Sequence, residues 1–262
     1  MKKYKKAIGI IDSGIGGFTV LEELIKILPN EKYLYVADQK FCPYSTLSNS
    51  LIKQRLVKIC HYFDKKKVKL IVIACNTASI FINYLKKQTK IPIISVINPT
   101  CKEVIKNTKN KNVGLLATKT TIDSKIYQSI LEKEKINTYG IACSEFVKII
   151  EDNQINTLNT KMIIENKLNN LINSNIDTLV YGCTHFSLLH EHIKPYFKNI
   201  NYVSSKMPTA NYVYIYLRSQ DLLNKQKIVH KVKIKTTYNK RKIKKQIKLF
   251  KIKKYRISKI NI

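Results

Sequence analysis

The chain has 262 residues, of which 44% are hydrophobic, and its formal net charge is +31. This length accommodates two domains of roughly 100–150 residues, and the hydrophobic content excludes general disorder. No apolar run approaches the roughly 18–20 residues of a membrane span, and the short apolar stretch near the start ends at Asp12, so we expect a cytoplasmic protein with neither membrane anchor nor signal peptide.

The first part of the chain alternates apolar runs with amphipathic segments, which predicts strands joined by helices. The strands are expected at 7–11, 33–37, 69–74 and 92–96. The helices are expected at 18–28, 46–65 and 77–87. A glycine-rich turn, Asp12-Ser13-Gly14-Ile15-Gly16-Gly17, lies between the first strand and the first helix, where its backbone amides can approach an anion. This alternation predicts a parallel sheet with crossover helices.

The rest of the chain repeats this pattern. Strands are expected at 112–117, 138–142, 178–181 and 202–203. Helices are expected at 101–106, 121–133, 145–152, 161–173, 186–197 (broken at Pro195) and 208–222. Beyond them, basic and apolar residues alternate over 227–235, which predicts a half-exposed strand, and 241–250 carries a helical stripe of apolar residues.

The two parts match each other in sequence, which predicts a duplicated unit. Gly9-Ile10-Ile11-Asp12 matches Gly114-Leu115-Leu116-Ala117, and a cysteine follows a later strand at similar spacing in each part, at Cys75 and Cys183. We therefore predict an α/β protein with two pseudo-symmetric, doubly wound domains, mainly parallel sheets and an active site in the cleft between them. The predicted domains are residues 1–97 and 98–205, and the C-terminal segment is expected to return to the first domain over residues 206–262.

Each of these two cysteines begins a polar motif, Cys75-Asn76-Thr77 in the first part and Cys183-Thr184-His185 in the second. A free thiol is mostly protonated at neutral pH, but an imidazolium or a helix N-terminus favours the thiolate. A neighbouring carboxylate can accept the thiol proton as a reaction proceeds. One cysteine at a strand end is usually a small buried hydrophobe, but two at matching positions indicate a function. Two facing thiols suit the removal of a proton from one side of a carbon atom and its delivery to the other.

The remaining cysteines show no such pattern and are interpreted as structural; they are Cys42, Cys60, Cys101 and Cys143. No two cysteines have the Cys-x-x-Cys spacing, so we expect free thiols. Nothing near Cys183 and His185 completes a four-ligand site, so no metal is predicted. No lysine motif calls for pyridoxal phosphate, so no cofactor is predicted.

The positive charge has two interpretations. It can indicate binding to nucleic acid or to another acidic surface. However, lysine is spread along the whole chain and is over-used together with isoleucine and asparagine, which indicates a bias toward A/T-rich codons. The segment after Asn224 is the strongest case for a binding arm, because it contains many lysines and no Asp or Glu. We favour the compositional interpretation and do not expect nucleic acid as a partner.

Four motifs, in this order, resemble the motif set of the glutamate racemase family, whose members are cofactor-independent amino-acid racemases. They are Asp12-Ser13-Gly14-Ile15-Gly16-Gly17, Pro43-Tyr44, Ala74-Cys75-Asn76-Thr77-Ala78-Ser79 and Gly182-Cys183-Thr184-His185. The resemblance covers nearly the whole chain. It implies a two-domain fold with a central cleft and the reversible interconversion of L- and D-glutamate, which supplies D-glutamate for peptidoglycan synthesis.

The resemblance also implies roles for single residues. Cys75 and Cys183 correspond to the two catalytic thiols, of which one acts as base while the other acts as acid. Asp12 corresponds to the group that assists the first thiol, and His185 and Glu151 correspond to groups beside the second. The implied substrate-binding residues are Asp12, Ser13, Tyr44, Ser45, Asn76, Thr77, Thr118, Thr121, Thr184 and His185.

The chain departs from the family pattern at Ser45, where a glycine usually follows Pro-Tyr. The backbone amide of Ser45 can still donate a hydrogen bond, but its Cβ restricts the backbone and is expected to crowd a substrate carboxylate. Two other functions stay open. One is a two-thiol racemase that acts on aspartate or a related amino acid, and the other is a basic nucleic-acid- or protein-binding module on the same scaffold. The sequence does not determine the assembly, for which a homodimer is one option.

Overall fold

Two sheets of parallel strands organise the chain, which a computed structural model describes over residues 2–262. The strands are β1 (Ile8–Asp12), β2 (Tyr33–Ala37), β3 (Leu70–Ile73), β4 (Ile93–Ser95), β5 (Asn112–Ala117), β6 (Asn137–Ala142), β7 (Thr178–Gly182), β8 (Asn201–Ser204), β9 (Val232–Thr236) and β10 (Tyr255–Lys259). The first sheet has the order β10-β9-β2-β1-β3-β4, and the second has the order β6-β5-β7-β8. All neighbouring strands of both sheets pair in parallel.

The two sheets share one topology. In the run β2-β1-β3-β4 the strand that comes first in the chain lies between the second and the third, and β6-β5-β7-β8 repeats this arrangement. The register agrees as well, because Asp12 at the end of β1 pairs with Ala37 and Ala117 at the end of β5 pairs with Ala142. The prediction of a duplicated α/β unit with parallel sheets is therefore confirmed.

Helices flank the sheets and connect their strands. They are α1 (Phe18–Ile27), α2 (Asn49–Lys66), α3 (Asn76–Ser79), α4 (Ile82–Leu85), α5 (Ile97–Asn107), α6 (Lys119–Asp123), α7 (Ile126–Leu131), α8 (Glu145–Glu151), α9 (Leu158–Ile172), α10 (His190–Ile193), α11 (Lys206–Ser219) and α12 (Lys240–Gln246). Ser48 caps α2 by accepting a hydrogen bond from the N–H of Leu51 at 3.3 Å, which satisfies one free amide of the first turn. None of the helices within residues 2–262 has both the length and the apolar character that crossing a membrane requires.

The central strands are buried on both faces, which explains why their sequences are continuous apolar runs. Every residue of β1, β2 and β3 is buried. Side chains alternate between two cores: Ile10 packs with residues of α1, whereas Ile11 packs with residues of α2 such as Leu56 and Phe63. Both faces of the first sheet are thus covered by helices, and its strand ends are left to form a site.

Some predicted elements differ from the observed ones. The predicted helix at 77–87 is divided into α3 and α4, and the one at 186–197 is the single turn α10 between 3-10 turns at 186–189 and 194–196. Strand β10 has no counterpart among the predicted strands. It lies at the edge of the first sheet and is only partly buried, so it lacks the apolar run by which the other strands are predicted.

The C-terminal segment lies against the first sheet. Helix α11 packs against α1, and β9 pairs with β2, where Leu34 lies opposite Lys233. Strand β10 then pairs with β9. The chain therefore leaves the second sheet after β8 and adds two strands to the first. The domain boundaries near residues 97 and 205 stay a prediction.

Candidate active site

The predicted catalytic side chains lie at the carboxyl ends of neighbouring strands. Asp12 is the last residue of β1, and Cys75 lies two residues beyond β3, which pairs with β1. In the second sheet Thr118 follows β5 and Cys183 follows β7, which pairs with β5. Because parallel strands end at the same edge of a sheet, each sheet brings its polar residues together there.

The first thiol, Cys75, is buried beside an acid. The residue is 7% exposed, and its Sγ lies 3.9 Å from the hydroxyl oxygen of Ser13. Burial, followed by the negative charge of Asp12, raises the pKa of Cys75 to about 12, and Cys183 acts in the same direction. Cys75 therefore keeps its proton at neutral pH.

Asp12 is fully buried and is held by both halves of the molecule. Its Oδ1 accepts a hydrogen bond from the N–H of Gly14 at 2.7 Å, and its Oδ2 accepts one from the hydroxyl of Thr184 at 3.4 Å. Burial raises the pKa of Asp12, although the nearby His185 opposes this. The bond from Thr184 joins the second unit to the first across the site.

The second thiol, Cys183, begins a chain of contacts through His185 to Glu151. Nδ1 of His185 lies 3.8 Å from Sγ of Cys183, and Nε2 lies 3.0 Å from Oε1 of Glu151. Burial lowers the pKa of His185, but its hydrogen bonds with Cys183 and Glu151 outweigh burial and hold the pKa well above the ordinary value. Burial acts to raise the pKa of Glu151, but the hydrogen bond with His185 and further donors lower it to about 2. The two groups therefore form a buried imidazolium–carboxylate pair.

The carboxylate of Glu151, at the end of α8, receives donors from distant parts of the chain. Its Oε1 accepts a hydrogen bond from the N–H of Ile15 at 3.1 Å and lies 3.7 Å from Sγ of Cys42. Its Oε2 accepts a hydrogen bond from Nε2 of Gln246 at 2.9 Å. The glycine-rich turn does approach an anion with a backbone amide, and this anion belongs to the protein.

Two glycines of that turn are required because side chains of the second unit come so close to the backbone. A Cβ at Gly14 would collide with the carboxylate of Glu151, and a Cβ at Gly16 would collide with the ring of His185 and the hydroxyl of Thr184. No glycine within residues 2–262 has a positive φ, so the requirement here is for space and not for an unusual backbone conformation. The turn is therefore a contact surface between the two units.

Three of the predicted substrate-binding residues form a row of hydroxyl groups between the units. The hydroxyl oxygens of Thr77 and Thr118 are 3.0 Å apart, and those of Thr118 and Thr121 are 2.9 Å apart. Thr77 belongs to α3, whereas Thr118 caps α6. The structure thus brings these three residues together from both units.

Two other predicted binding residues keep polar atoms available. Oδ1 of Asn76 accepts a hydrogen bond from the hydroxyl of Tyr127 at 2.6 Å. Its Nδ2 and the hydroxyl oxygen of Ser45 are buried, and neither has a hydrogen-bond partner within residues 2–262. Buried polar atoms in native proteins rarely lack a partner, so both atoms have unused hydrogen-bonding capacity.

Tyr44 is engaged by the protein through its hydroxyl. This hydroxyl donates to Oδ2 of Asp38 at 2.7 Å, and Arg55 donates to both carboxylate oxygens of Asp38 at 2.9 Å. The Arg55–Asp38 pair is buried and holds the loop that carries Tyr44. A role of Tyr44 in substrate binding, which stays a prediction, is therefore left to its ring and its backbone.

Several supporting residues are absent from the set predicted from the sequence. The hydroxyl of Tyr35 donates to the carbonyl of Gly14 at 3.0 Å, Tyr127 binds Asn76, and Gln246 binds Glu151. Cys42 contacts Glu151, and only its place directly before the Pro-Tyr motif could have indicated this. The other three lie in ordinary strand or helix sequence and carry no local signal.

The two buried thiols have neighbouring groups of different chemical character. An acid lies beside Cys75, whereas an imidazolium held by a carboxylate lies beside Cys183. A cation near sulfur favours the thiolate, and a carboxylate near sulfur favours the thiol. The residues that the structure describes, 2–262, contain no group of three or more His, Cys, Asp or Glu side chains placed to hold a metal ion. Thiol, carboxylate and imidazole side chains placed in this way can take up and release protons.

Comparison with known proteins gives a family and close relatives. The family model described as Asp/Glu/hydantoin racemase matches residues 8–206. A glutamate racemase from Oceanobacillus iheyensis is 36% identical over 229 residues, which cover 86% of this chain and 84% of that protein. The residues matched by the family model include all four sequence motifs.

Two solved structures match the fold over almost the whole length. A glutamate racemase from Bacillus anthracis superposes with a TM-score of 0.93 and 28% identity, and the match covers 98% of each chain. A glutamate racemase from Francisella tularensis, solved in complex with D-glutamate, superposes with a TM-score of 0.91 and 27% identity, again over 98% of each chain.

Proposed function

This chain belongs to the Asp/Glu/hydantoin racemase family, and we propose that it is a glutamate racemase whose chemistry is performed by the thiols of Cys75 and Cys183. The reaction is the reversible interconversion of L- and D-glutamate, which supplies D-glutamate for peptidoglycan. The relatives support this substrate, because the protein from Oceanobacillus iheyensis is a glutamate racemase and the structure from Francisella tularensis contains D-glutamate. Among the observations on this chain, the one that carries the proposal is the pair of buried thiols at matching strand ends of two equivalent sheets.

Substrate binding is assigned to the polar atoms between the two units. Nδ2 of Asn76 and the hydroxyl of Ser45 are buried donors that can bind a carboxylate, and the hydroxyls of Thr77, Thr118 and Thr121 lie in a row beside them. When the α-proton leaves, negative charge develops on the α-carbon and its carboxylate. Donors that are already in place stabilise this charge without reorganisation.

The proposed proton transfer uses the two thiols from opposite faces of the α-carbon. In one direction the thiolate of Cys183 takes the α-proton, the bonding electron pair stays on the carbon, and the thiol of Cys75 gives its proton to the other face. Cys183 ends protonated and Cys75 ends ionised, so the number of protons in the site is unchanged and the configuration is inverted. The reverse direction exchanges these roles.

Each thiol has a group that assists its change of state. Asp12 can accept the proton of Cys75, and the upward shift of the pKa of Asp12 by burial favours this uptake. His185, held by Glu151, can donate a hydrogen bond to the sulfur of Cys183 and balance its negative charge. The α-ammonium group of a bound amino acid adds a further positive charge that favours ionised sulfur.

The decisive experiment is the incorporation of deuterium at Cα. Purified protein in D2O should exchange the α-proton of both L- and D-glutamate and racemise them, as followed by NMR and circular dichroism. Cys75→Ala and Cys183→Ala should each abolish racemisation while leaving the protein folded. The absence of exchange with either enantiomer would reject the proposal.

The same assay separates glutamate from aspartate, the alternative substrate. Both amino acids are offered at equal concentration, and the proposal requires a clearly higher kcat/KM for glutamate. A higher value for aspartate would assign the chain to the other racemase type while leaving the two-thiol mechanism intact.

We also propose a cytoplasmic location, which the six free cysteines support because free thiols persist in a reducing compartment. A homodimer is the assembly to test, and Met207 and Ile215, which are exposed on α11, are apolar side chains that an interface would cover. Light scattering at several protein concentrations decides between monomer and dimer.

A further inference from the structure

Gln246 connects the C-terminal segment to the group that assists the second thiol. It is the last residue of α12, it is 7% exposed, and its Nε2 donates to both the backbone carbonyl and Oε2 of Glu151 at 2.9 Å. The two residues are 95 positions apart in the chain. Gln246 lies in the basic segment after Asn224, which is the strongest case in the sequence for a binding arm, yet its amide is buried against Glu151.

The orientation of this amide is determined by its neighbours. Nε2 faces two acceptors on Glu151, so the nitrogen must point toward Glu151. Oε1 of Gln246 accepts a hydrogen bond from Nε2 of Gln39 at 3.0 Å, and Oε1 of Gln39 lies 3.5 Å from the hydroxyl of Thr236. All four of these side chains are buried. A satisfied polar network of this kind holds its members in one geometry.

Gln246 binds the carboxylate oxygen of Glu151 that does not contact His185. Oε1 of Glu151 faces His185 and the N–H of Ile15, so a donor on Oε2 is needed to fix the rotation of the group. Lys242 is a weaker candidate for this task, because its Nζ is 3.9 Å from Oε2 and its side chain is 39% exposed. The amide of Gln246, which is buried and at hydrogen-bond distance, is the group that holds Oε2.

We propose that Gln246, oriented by Gln39, is a positioning residue for the second thiol. By holding the carboxylate of Glu151, it keeps Oε1 on Nε2 of His185 and thereby keeps Nδ1 directed at the sulfur of Cys183. The residue does not touch the substrate and acts only through Glu151 and His185. The kinetic part of this inference rests on the proposed racemase function, whereas the part that concerns the reactivity of Cys183 does not.

The first test is Gln246→Met, which keeps the length of the side chain and removes the donor. The kcat for racemisation should fall about tenfold, the loss expected when one hydrogen bond to a charged group is removed from a proton-transfer assembly, while KM stays within about twofold. The matched control is Asn224→Leu, a buried amide of the same segment that binds the carbonyl of Asn30 at 2.7 Å. If Gln246→Met does not fold, Gln39→Met replaces it, because this variant removes the donor that orients Gln246 and otherwise only the longer contact with the hydroxyl of Thr236.

The second test uses Cys75 as an internal standard. Wild type and variant are treated with iodoacetamide without substrate, and the alkylation rates of Cys75 and Cys183 are measured by peptide mass spectrometry. The ratio of the Cys183 rate to the Cys75 rate should fall severalfold in Gln246→Met and stay constant in Asn224→Leu. A general loosening of the fold would change both cysteines together.

The outcomes are separable. An unchanged ratio together with a kcat within about twofold of wild type would overturn the proposal, and so would an equal loss of kcat in Asn224→Leu. If the wild-type protein does not racemise glutamate, the proposed function fails, but the alkylation ratio still decides whether Gln246 positions the second thiol.

Discussion

Replacing Glu151 with glutamine tests whether the second thiol depends on a buried carboxylate. The substitution keeps the shape of the side chain and removes its charge. In the native site Oε1 of Glu151 lies 3.0 Å from Nε2 of His185, and Oε2 accepts a hydrogen bond from Gln246. The side-chain oxygen of the new glutamine can accept a hydrogen bond from His185 only if its NH2 group faces Nε2 of Gln246. Two hydrogen-bond donors would then face each other. We therefore expect Glu151→Gln to fold but to stabilise the imidazolium of His185 less.

The size of the effect follows from burial. His185 is 2% exposed and Glu151 is 8% exposed, so solvent screens their attraction little. Removing one partner of such a buried pair typically costs about 3–5 kcal/mol. Without Glu151, burial still lowers the pKa of His185, and of the two groups that raise it most only Cys183 remains, so the imidazolium is less favoured. If about 3 kcal/mol of the energy lost with Glu151 raises the free energy of the transition state, kcat/KM falls roughly 100-fold, because 1.36 kcal/mol corresponds to a factor of ten.

The assay is racemisation followed by circular dichroism from both enantiomers. Because the equilibrium constant between enantiomers is one, kcat/KM must fall by the same factor in both directions, which checks the measurement itself. The matched control is Glu145→Gln on the same helix, where Glu145 pairs with Lys167 at 2.9 Å and the side chains are 37% and 36% exposed. Such a pair contributes less than about 1 kcal/mol. A Glu151→Gln activity within about threefold of wild type, or an equal loss in Glu145→Gln, would refute the reasoning.

Four further predictions use other parts of the structure. Burial raises the pKa of Asp12 in the folded protein. The ionised carboxylate therefore destabilises the fold at a pH above 3.8, the ordinary pKa of this group, and has no such effect below that pH. At pH 7, Asp12→Asn should therefore unfold at the same urea concentration as wild type or at a higher one, and near pH 3 the two should not differ. The variant should also be much less active. A lower urea midpoint than wild type at pH 7 contradicts this prediction. Gly16→Ala adds a methyl group against the ring of His185, and kcat/KM should fall at least about tenfold without a change in net charge; wild-type kinetics would disprove the proposed close approach. Arg55→Leu leaves the buried carboxylate of Asp38 without its cation and should lower the free energy of unfolding in urea by about 3–5 kcal/mol; a loss below about 1 kcal/mol would argue against it. Duplex DNA should not be retained at about 0.15 M salt, whereas steeply salt-dependent binding there would favour the nucleic-acid module.

The fold was predictable where strands are buried on both faces. β2 and β5 have the predicted bounds, because polar residues flank both strands: Lys32 and Asp38 for β2, and Lys111 and Thr118 for β5. β10 was not predictable in this way, because Tyr255–Lys259 forms a partly exposed edge strand in which basic and polar residues replace the apolar run. Its place beside β9 depends on tertiary pairing, which leaves no mark on the local sequence.

The candidate site was predictable where its residues follow strand ends and belong to recognisable motifs. Asp12, Cys75 and Cys183 are of this kind: Asp12 affects the pKa of Cys75, and His185 lies beside Cys183, while their catalytic roles stay a prediction. The bond between Gln246 and Glu151 was not predictable, since it joins residues 95 positions apart and neither belongs to a periodic pattern that indicates the other. The same holds for Tyr127, which reaches Asn76 from a helix of the second unit. Long-range polar contacts of this kind depend on the tertiary fold and not on the secondary-structure propensity of the local sequence.

In the proposed mechanism, the similarity of the two units and the differences between their side chains have separate roles. A racemase with two thiols needs one of them protonated and the other ionised before each turnover, and identical surroundings would leave both mostly protonated at neutral pH. The equivalent sheets present both sulfurs at the same strand ends, but the neighbouring residues differ: β1 ends in Asp12, whereas the equivalent strand β5 ends in Ala117. A histidine held by Glu151 lies beside the second sulfur only. In the proposed mechanism the repeated backbone places both thiols at equivalent strand ends, and the different side chains beside them, Asp12 near Cys75 and His185 near Cys183, suit the two sulfurs to different roles.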